Sequence, residues 1–265
     1  ILIICLLVFF SLIHLKVNTV LSFTGAVILH QTLVYNGLTS IARPEGFGIL
    51  LYVTGILLVW RFKFSMISLI ACVMTGIFGY LTKPYYLFAI PAIFLYLLFF
   101  ISKKKAAMFA VISILMFIVM IFIVNKSYDT FFNNTFFVHV NYSDSNLSHM
   151  MSQVILYVKI NAVLLVILFL SVVFLISGYS NFRNGNMFVI KDFWLKLKDA
   201  KILKWNEPIF KTETDMLFGF LMILSLTIFV FYLGGNTGSD NAAYLFHLSS
   251  PFLILTTFQL ANKVS

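Results

Sequence analysis

The chain has 265 residues, of which 61% are hydrophobic and only 10% charged, and its 18 Lys and Arg against nine Asp and Glu give a net charge of +9. An ordinary soluble domain has roughly a quarter of its residues charged, so this composition excludes that class. Such a basic balance would suggest nucleic acid as a partner of a soluble protein. Because the basic residues here fall between apolar runs, we expect no nucleic-acid partner.

Nine apolar runs, separated by polar breaks, occupy most of the chain. They are continuous rather than alternating, and most approach the roughly 17–20 residues that a membrane-crossing helix needs, which favours helices over strands. We therefore predict an all-α fold, a polytopic transmembrane helical bundle forming one domain over residues 1–265. The predicted spans are Ile1–Leu15, Thr19–Ala42, Gly46–Trp60, Ser65–Leu81, Tyr85–Ile101, Ala106–Val124, Val154–Ser177, Met216–Leu233 and Tyr244–Asn262.

Two of these runs are short. Ile1–Leu15 lacks the basic flank and cleavage site of a signal peptide, so we expect a cut transmembrane helix and a chain that is the C-terminal part of a longer protein. Gly46–Trp60 is too short to cross alone. Arg43-Pro44-Glu45, which precedes it, is therefore predicted to lie at membrane depth, shielded from lipid by protein.

The positive charge is distributed unevenly between the two sides of the predicted bundle. If successive breaks alternate sides, one side receives 14 of the 18 Lys and Arg, and the positive-inside rule makes that side cytoplasmic. We therefore predict a multi-pass integral protein of a bacterial inner membrane or a plasma membrane, with the long loop 178–215 in the cytoplasm. Within this loop, Met187–Lys204 interleaves apolar side chains with lysines, which predicts one amphipathic helix in the headgroup plane.

Four of the 18 Lys and Arg fall on the other side, and two of these lie in very short connections. Arg43 and Lys83 occur in outward-facing breaks, Arg43 two residues before Glu45 and Lys83 two residues before Tyr85, each followed by proline. The two spans between them should form an antiparallel hairpin, which brings both cations to the same outer edge. Two cations against one carboxylate predict an anion-binding pocket at headgroup depth, where lipid phosphate is present. The alternative is that Arg43 pairs with Glu45 while Lys83 extends to the interface.

A second outward-facing cluster is the glycine-rich segment 234–241, followed by Tyr244 and His247. Its glycines allow close backbone approach to a ligand, and Asp240 and Asn241 offer acceptors and donors suited to sugar hydroxyls. Tyr244 and His247 share a helix face through their i, i+3 spacing. A plain turn with a helix N-cap explains the same residues equally well.

No metal or cofactor motif is recognised in the sequence. His139 with Asp129 or Asp144 lacks metal-ligand spacing, and there is no phosphate loop or dinucleotide fingerprint. Cys5 and Cys72 lie within apolar runs, which predicts buried thiols rather than a disulfide or metal pair. We therefore predict no metal site and no certain cofactor.

Two motifs carry a family resemblance. Arg-Pro-Glu at residues 43–45 opens one predicted helix, and the next ends in Gly-Tyr-Leu-Thr-Lys-Pro at residues 79–84. From roughly Thr32 to Pro91 the chain resembles GT-C-type membrane glycosyltransferases, the polyprenyl-phosphate-sugar-dependent mannosyl- and arabinosyltransferases. Residues 234–252 are similar, with lower specificity, to the late luminal loop of that family. That loop often has Asn-Tyr followed by Glu, and here His247 stands nearer the Glu position.

The resemblance implies inverting transfer of a sugar from a polyprenyl-phosphate donor to a glycan, lipid or protein acceptor of the cell envelope, on the extracytoplasmic side. It implies that Arg43 and Lys83 lie near the lipid phosphate and that Glu45 orients Arg43. The family's catalytic carboxylate lies in a first outer loop, so the catalytic base is expected upstream of Ile1. Supporting or substrate-binding roles are expected for Glu45, Tyr85, Asp240, Asn241, Tyr244 and His247.

Two other functions are alternatives. A flippase or transporter of lipid-linked glycans would use paired outward cations to bind headgroups without chemistry. An O-antigen polymerase or ligase would want an outer loop rich in Arg, and Asn125–Gln153 contains none.

Overall fold

The computed structural model describes residues 1–34, 45–128, 151, 155, 158–159, 161–179 and 241–264, and for residues 45, 84–85, 171–179, 241–247, 260 and 263–264 it describes the backbone alone. Within this part the chain is helical and has no strand, which confirms the predicted all-α class. The α-helices are α1 Leu2–His14, α2 Thr19–Leu33, α3 Glu45–Arg61, α4 Met66–Thr82, α5 Ala89–Tyr96, α6 Lys103–Ser127, α7 Ala162–Tyr179 and α8 Asn241–Val264.

Most predicted spans agree closely with these helices. The limits of α1, α3 and α4 differ from the predicted ones by one residue, and α6 and α8 extend two or three residues further at each end. α7 begins at Ala162, eight residues after the predicted start. The predicted span Met216–Leu233 and the predicted interfacial helix Met187–Lys204 lie outside the described residues.

The fifth predicted span is not one regular helix. It consists of a 3₁₀ turn over Pro84–Phe88, then α5, then a π-helical turn over Leu97–Ile101. Pro91 is the third residue of α5 and has no amide hydrogen, so a continuous α-helical hydrogen-bond ladder cannot run through it from Leu87. The π turn closes where the Ser102 amide donates to the Leu97 carbonyl, over 2.8 Å.

Three helices begin at polar caps at the same end of the bundle. The Asn18 side chain accepts a hydrogen bond from the Val20 amide at the start of α2. Ser65 and Ser102 do the same for α4 and α6. Such caps satisfy amide groups that the first helical turn leaves without partners, so they fix where each helix begins.

Contacts between turns define this end. The Lys105 ammonium donates to the Phe64 carbonyl over 3.3 Å, which joins the start of α6 to the α3–α4 turn. The His14 and Trp60 rings lie 5.4 Å apart and join the ends of α1 and α3. We call the region formed by residues 14–18, 60–65, 102–105 and 262 the basic end.

The last described helix ends at the basic end and runs through the centre of the bundle. Asn262 Oδ1 accepts from the Asn18 amide over 2.9 Å, and Asn262 Nδ2 donates to the Lys16 carbonyl over 3.3 Å. Residues 248–259 of α8 are all buried, and α8 packs against α1, α2, α3 and α7. α8 is therefore the helix that joins α1, α2, α3 and α7 in the described part of the bundle.

In the described part of the chain, one helix is both long and apolar enough to cross a membrane. This is α6, whose 25 residues include an 18-residue window of mean hydropathy 3.1. It turns a narrow face with Ala106, Phe109, Ser113 and Met120 toward the bundle. By length and composition, one such helix is a weak indication of membrane association. α1 to α4 are apolar but shorter.

Candidate functional site

The approach of α3 to α4 is set by glycines. A Cβ on Gly48 would collide with the Tyr86 ring and with Thr82 Oγ1, and a Cβ on Gly55 would collide with Thr75 Oγ1. The two glycines are seven residues apart, as are Thr75 and Thr82, and they pair in opposite order. α3 and α4 therefore form the antiparallel hairpin expected from the sequence, in a register fixed by these contacts.

This register determines what lies at the hairpin's open end. Because Gly48 is level with Thr82, the first residue of α3, Glu45, is level with the turn that follows Lys83. At about 1.5 Å per residue, Lys83 lies within about 3 Å of Glu45 along the hairpin axis. Arg43 lies outside the described residues, so its distance from Lys83 stays a prediction.

Lys83 is held in an extended conformation at the end of α4. Its φ and ψ are −157° and 143°, the region favoured before proline. The Gly79 carbonyl accepts from Thr82 Oγ1 over 2.6 Å and from the Lys83 amide over 3.0 Å. The Lys83 carbonyl in turn accepts from the Tyr86 amide over 3.2 Å. The backbone on both sides of this half-buried lysine is therefore fixed.

Tyr86 is part of the site, and the sequence reasoning missed it. Its side chain is 1% exposed and packs where Gly48 and Gly79 leave space. The side chain of Tyr85, which the sequence analysis selected, lies outside the description. A signal for Tyr86 was present, because a glycine near each helix end beside the Lys-Pro motif leaves room for one large ring.

The start of α8 lies at the same end as this hairpin opening. Tyr52 of α3 and Phe252 of α8 pack with ring centroids 5.9 Å apart. Since Asn262 is anchored at the basic end, α8 runs parallel to α3. His247 precedes Phe252 by five residues, so its backbone lies about 7.5 Å further from the basic end, level with the first turn of α3.

The structure thus places the described residues of both candidate clusters at one end of the bundle. We call the region of residues 45–48, 79–86 and 241–247 the opposite end. Asn241 begins α8, and Tyr244 and His247 share one face of it by their spacing. Asp240 lies outside the described residues.

Several electrostatic features of the opposite end favour an anion, whereas Glu45, the first residue of α3, is acidic and opposes them. α3 and α8 both begin there, and amide groups of a first helical turn attract negative charge. α4 ends there, but its Gly79 carbonyl already accepts two hydrogen bonds, which lowers its power to repel an anion. The ammonium of Lys83 adds a full positive charge. Among the described residues, no group of three His, Cys, Asp or Glu is arranged to hold a metal ion.

Comparison with known proteins gives no family for this chain. No protein-family model, no curated protein and no solved structure matches it. The functional interpretation therefore rests on the chain's own residues and on their arrangement.

Proposed function

We propose that the chain is a polytopic membrane glycosyltransferase that takes a sugar from a polyprenyl-phosphate donor and transfers it to a cell-envelope acceptor on the extracytoplasmic side. The observation that carries the proposal is the Gly48–Thr82 contact. It brings the start of α3, two residues after Arg43, level with Lys83. The lipid phosphate of the donor binds between these two cations, and Glu45 orients Arg43.

The apolar surface supports membrane embedding on more than one helix. Large apolar side chains are exposed on α1, α2, α4, α6 and α7, where a protein in water would rarely leave so many together. The most exposed on these helices are Leu2, Val20, Ile67, Phe122 and Val163, each above 65%. Lipid contact removes the unfavourable exposure of these side chains to water.

Charge supports the orientation. Lys16, Arg61, Lys63 and the three lysines 103–105 all belong to the basic end, whereas Lys83 is at the opposite end and Lys126 is in the last turn of α6, which starts at the basic end. By the positive-inside rule the basic end is cytoplasmic. The phosphate site then faces the extracytoplasmic side, where lipid-linked sugars with a single phosphate donate to envelope acceptors.

The arrangement suits phosphate departure. As the bond between the anomeric carbon and the phosphate oxygen breaks, negative charge grows on the leaving polyprenyl phosphate. Two cations fixed beside that oxygen stabilise this charge more in the transition state than in the bound donor. The acceptor hydroxyl attacks the anomeric carbon from the opposite face and loses its proton to a general base. No base is assigned among residues 1–265.

The proposal is tested by Arg43→Ala and Lys83→Ala, made separately in the full protein in membranes. Each should lower transfer of labelled sugar from a polyprenyl-phosphate donor by about 10²-fold or more, the usual cost of losing one group that stabilises a developing anion. Lys126→Ala removes an exposed cation in the last turn of α6 and should change transfer little.

Unchanged transfer in both variants would remove the phosphate site. The same membranes distinguish an enzyme from a flippase of lipid-linked glycans. A flippase would move labelled lipid between leaflets in the wild type without forming a new glycosidic bond, and the two substitutions would slow that movement.

A further inference from the structure

A separate groove opens between α1 and α3 near the basic end, far from the proposed phosphate site. Its volume is about 190 Å³, and Leu7, Phe10 and Leu58 form part of its wall. Ser11 also lines it, but its hydroxyl donates to the Leu7 carbonyl over 2.7 Å, so the wall offers little polarity. An apolar cavity of about 150 Å³ accepts a benzene ring, so this groove has room for a segment of one acyl chain.

The mouth of the groove carries polar and charged side chains, whereas its wall is mostly apolar. His14 and Arg61 are the last residues of α1 and α3, and both side chains are exposed. The Trp60 ring also lines the groove and contacts the His14 ring edge to face. The apolar wall matches the acyl chain of a phospholipid, and the cation and the tryptophan at the end of the groove match its headgroup. Tryptophan prefers the membrane interface, and arginine binds phosphate oxygens through paired donors.

We propose that this groove binds one anionic phospholipid of the leaflet at the basic end. One acyl chain lies against Leu7, Phe10 and Leu58, and the headgroup phosphate is bound by Arg61 with His14 beside it. Charge complementarity selects the occupant, because the basic end attracts anionic lipid and the groove gives one such molecule a fixed position. The inference rests on the membrane embedding proposed above and not on glycosyl transfer.

The test uses the purified full protein and native mass spectrometry. Phosphatidylglycerol and phosphatidylcholine with identical acyl chains are added separately, and the fraction of protein retaining one lipid is measured. The wild type should retain phosphatidylglycerol in preference. Arg61→Gln should lower its affinity by about tenfold, as expected for losing a charge-assisted hydrogen bond.

Lys63→Gln is the matched control. Lys63 has an exposed side chain at the same end, two residues away, and does not line the groove. It should change retention of phosphatidylglycerol by less than about twofold, as expected for an exposed charge. An equal loss in both variants, or no loss in Arg61→Gln, would overturn the inference.

A second variant tests the groove itself. Leu58→Trp fills the wall without altering charge, and should lower retention of both lipids while the melting temperature stays near that of the wild type. Full retention of both lipids in this variant would also overturn the inference. Because sugar transfer is not the readout, an inactive protein leaves this test intact, and Arg61→Gln should transfer sugar as the wild type does.

Discussion

Glycines, which have no Cβ atom, determine the geometry of the candidate site. Gly48 lies against Thr82 and Tyr86, and Gly55 lies against Thr75, so α3 and α4 approach each other more closely than any larger side chain would allow. In a membrane, where apolar burial drives helix association weakly, such close packing supplies much of the attraction between helices. The orientation of Lys83 therefore depends on residues that do no chemistry.

Gly48→Ala should destabilise the protein by about 1–3 kcal/mol, the usual cost of forcing extra volume into a packed site. Gly46→Ala is the matched control, because a Cβ on Gly46 has no heavy atom within 4 Å. It should be neutral or slightly stabilising, since alanine favours the helix by up to about 1 kcal/mol. Melting temperatures in detergent measure both. Equal values for the two variants would contradict the assigned register.

For single residues, the sequence predicted which charged residue is a candidate better than it predicted which aromatic side chain is buried beside it. Lys83 was selected as a candidate because the positive-inside rule makes cations uncommon in outward-facing breaks. The sequence analysis selected Tyr85 and missed Tyr86, because the burial of the Tyr86 ring depends on the 3₁₀ turn over Pro84–Phe88. That turn follows from tertiary packing, and hydropathy does not record it.

The helices themselves were largely predictable, because a continuous apolar run bounded by a polar cap specifies a helix and its start. Ser65 and Ser102 are such caps. The prediction of helices from hydropathy was wrong where proline changes the backbone hydrogen bonding of an apolar run. Residues 84–101 are uniformly apolar, and hydropathy therefore predicted one helix. Pro84 instead begins a 3₁₀ turn, and Pro91 removes one amide donor from the first turn of α5, so the segment starts without a regular α-helical hydrogen-bond ladder.

The two faces of α6 should respond differently to the same substitution. Phe109 is fully buried and Phe122 is 73% exposed. Phe109→Ala should cost about 3–5 kcal/mol, because it removes contacts and leaves a cavity. Phe122→Ala should change stability much less, because its ring contacts solvent or lipid rather than protein. Thermal unfolding of the two variants checks this. A larger loss in Phe122→Ala would mean that another part of the chain covers that face.

On the scale of the whole molecule, α1 to α6 alternate in direction and have most of their cations at one end. The sequence predicted this asymmetry by counting charges in alternate breaks. It did not predict that the start of α8 lies beside the hairpin opening. That placement follows from Asn262, whose hydrogen bonds to Lys16 and Asn18 join residues almost the length of the chain apart.

Orientation can be tested directly with two cysteines. Lys104→Cys lies in the first turn of α6 and Ser127→Cys at its last residue, about 35 Å apart along a straight helix. In intact cells, a membrane-impermeant maleimide should label Ser127→Cys and leave Lys104→Cys unlabelled until the membrane is opened. Background should be low, because Cys5 and Cys72 are buried free thiols, as the sequence predicted. Labelling of both from outside would refute a membrane-spanning α6.

The central position of α8 has a consequence for biogenesis. Translation produces this helix after every other described one, so α1, α2, α3 and α7 leave the ribosome before the helix against which they pack has been made. Newly inserted helices first sit in the bilayer as separate units and assemble afterwards. In the polytopic membrane protein proposed above, the described bundle would reach its final packing only when α8 enters between helices already inserted and the Asn262 side chain meets the α1–α2 turn.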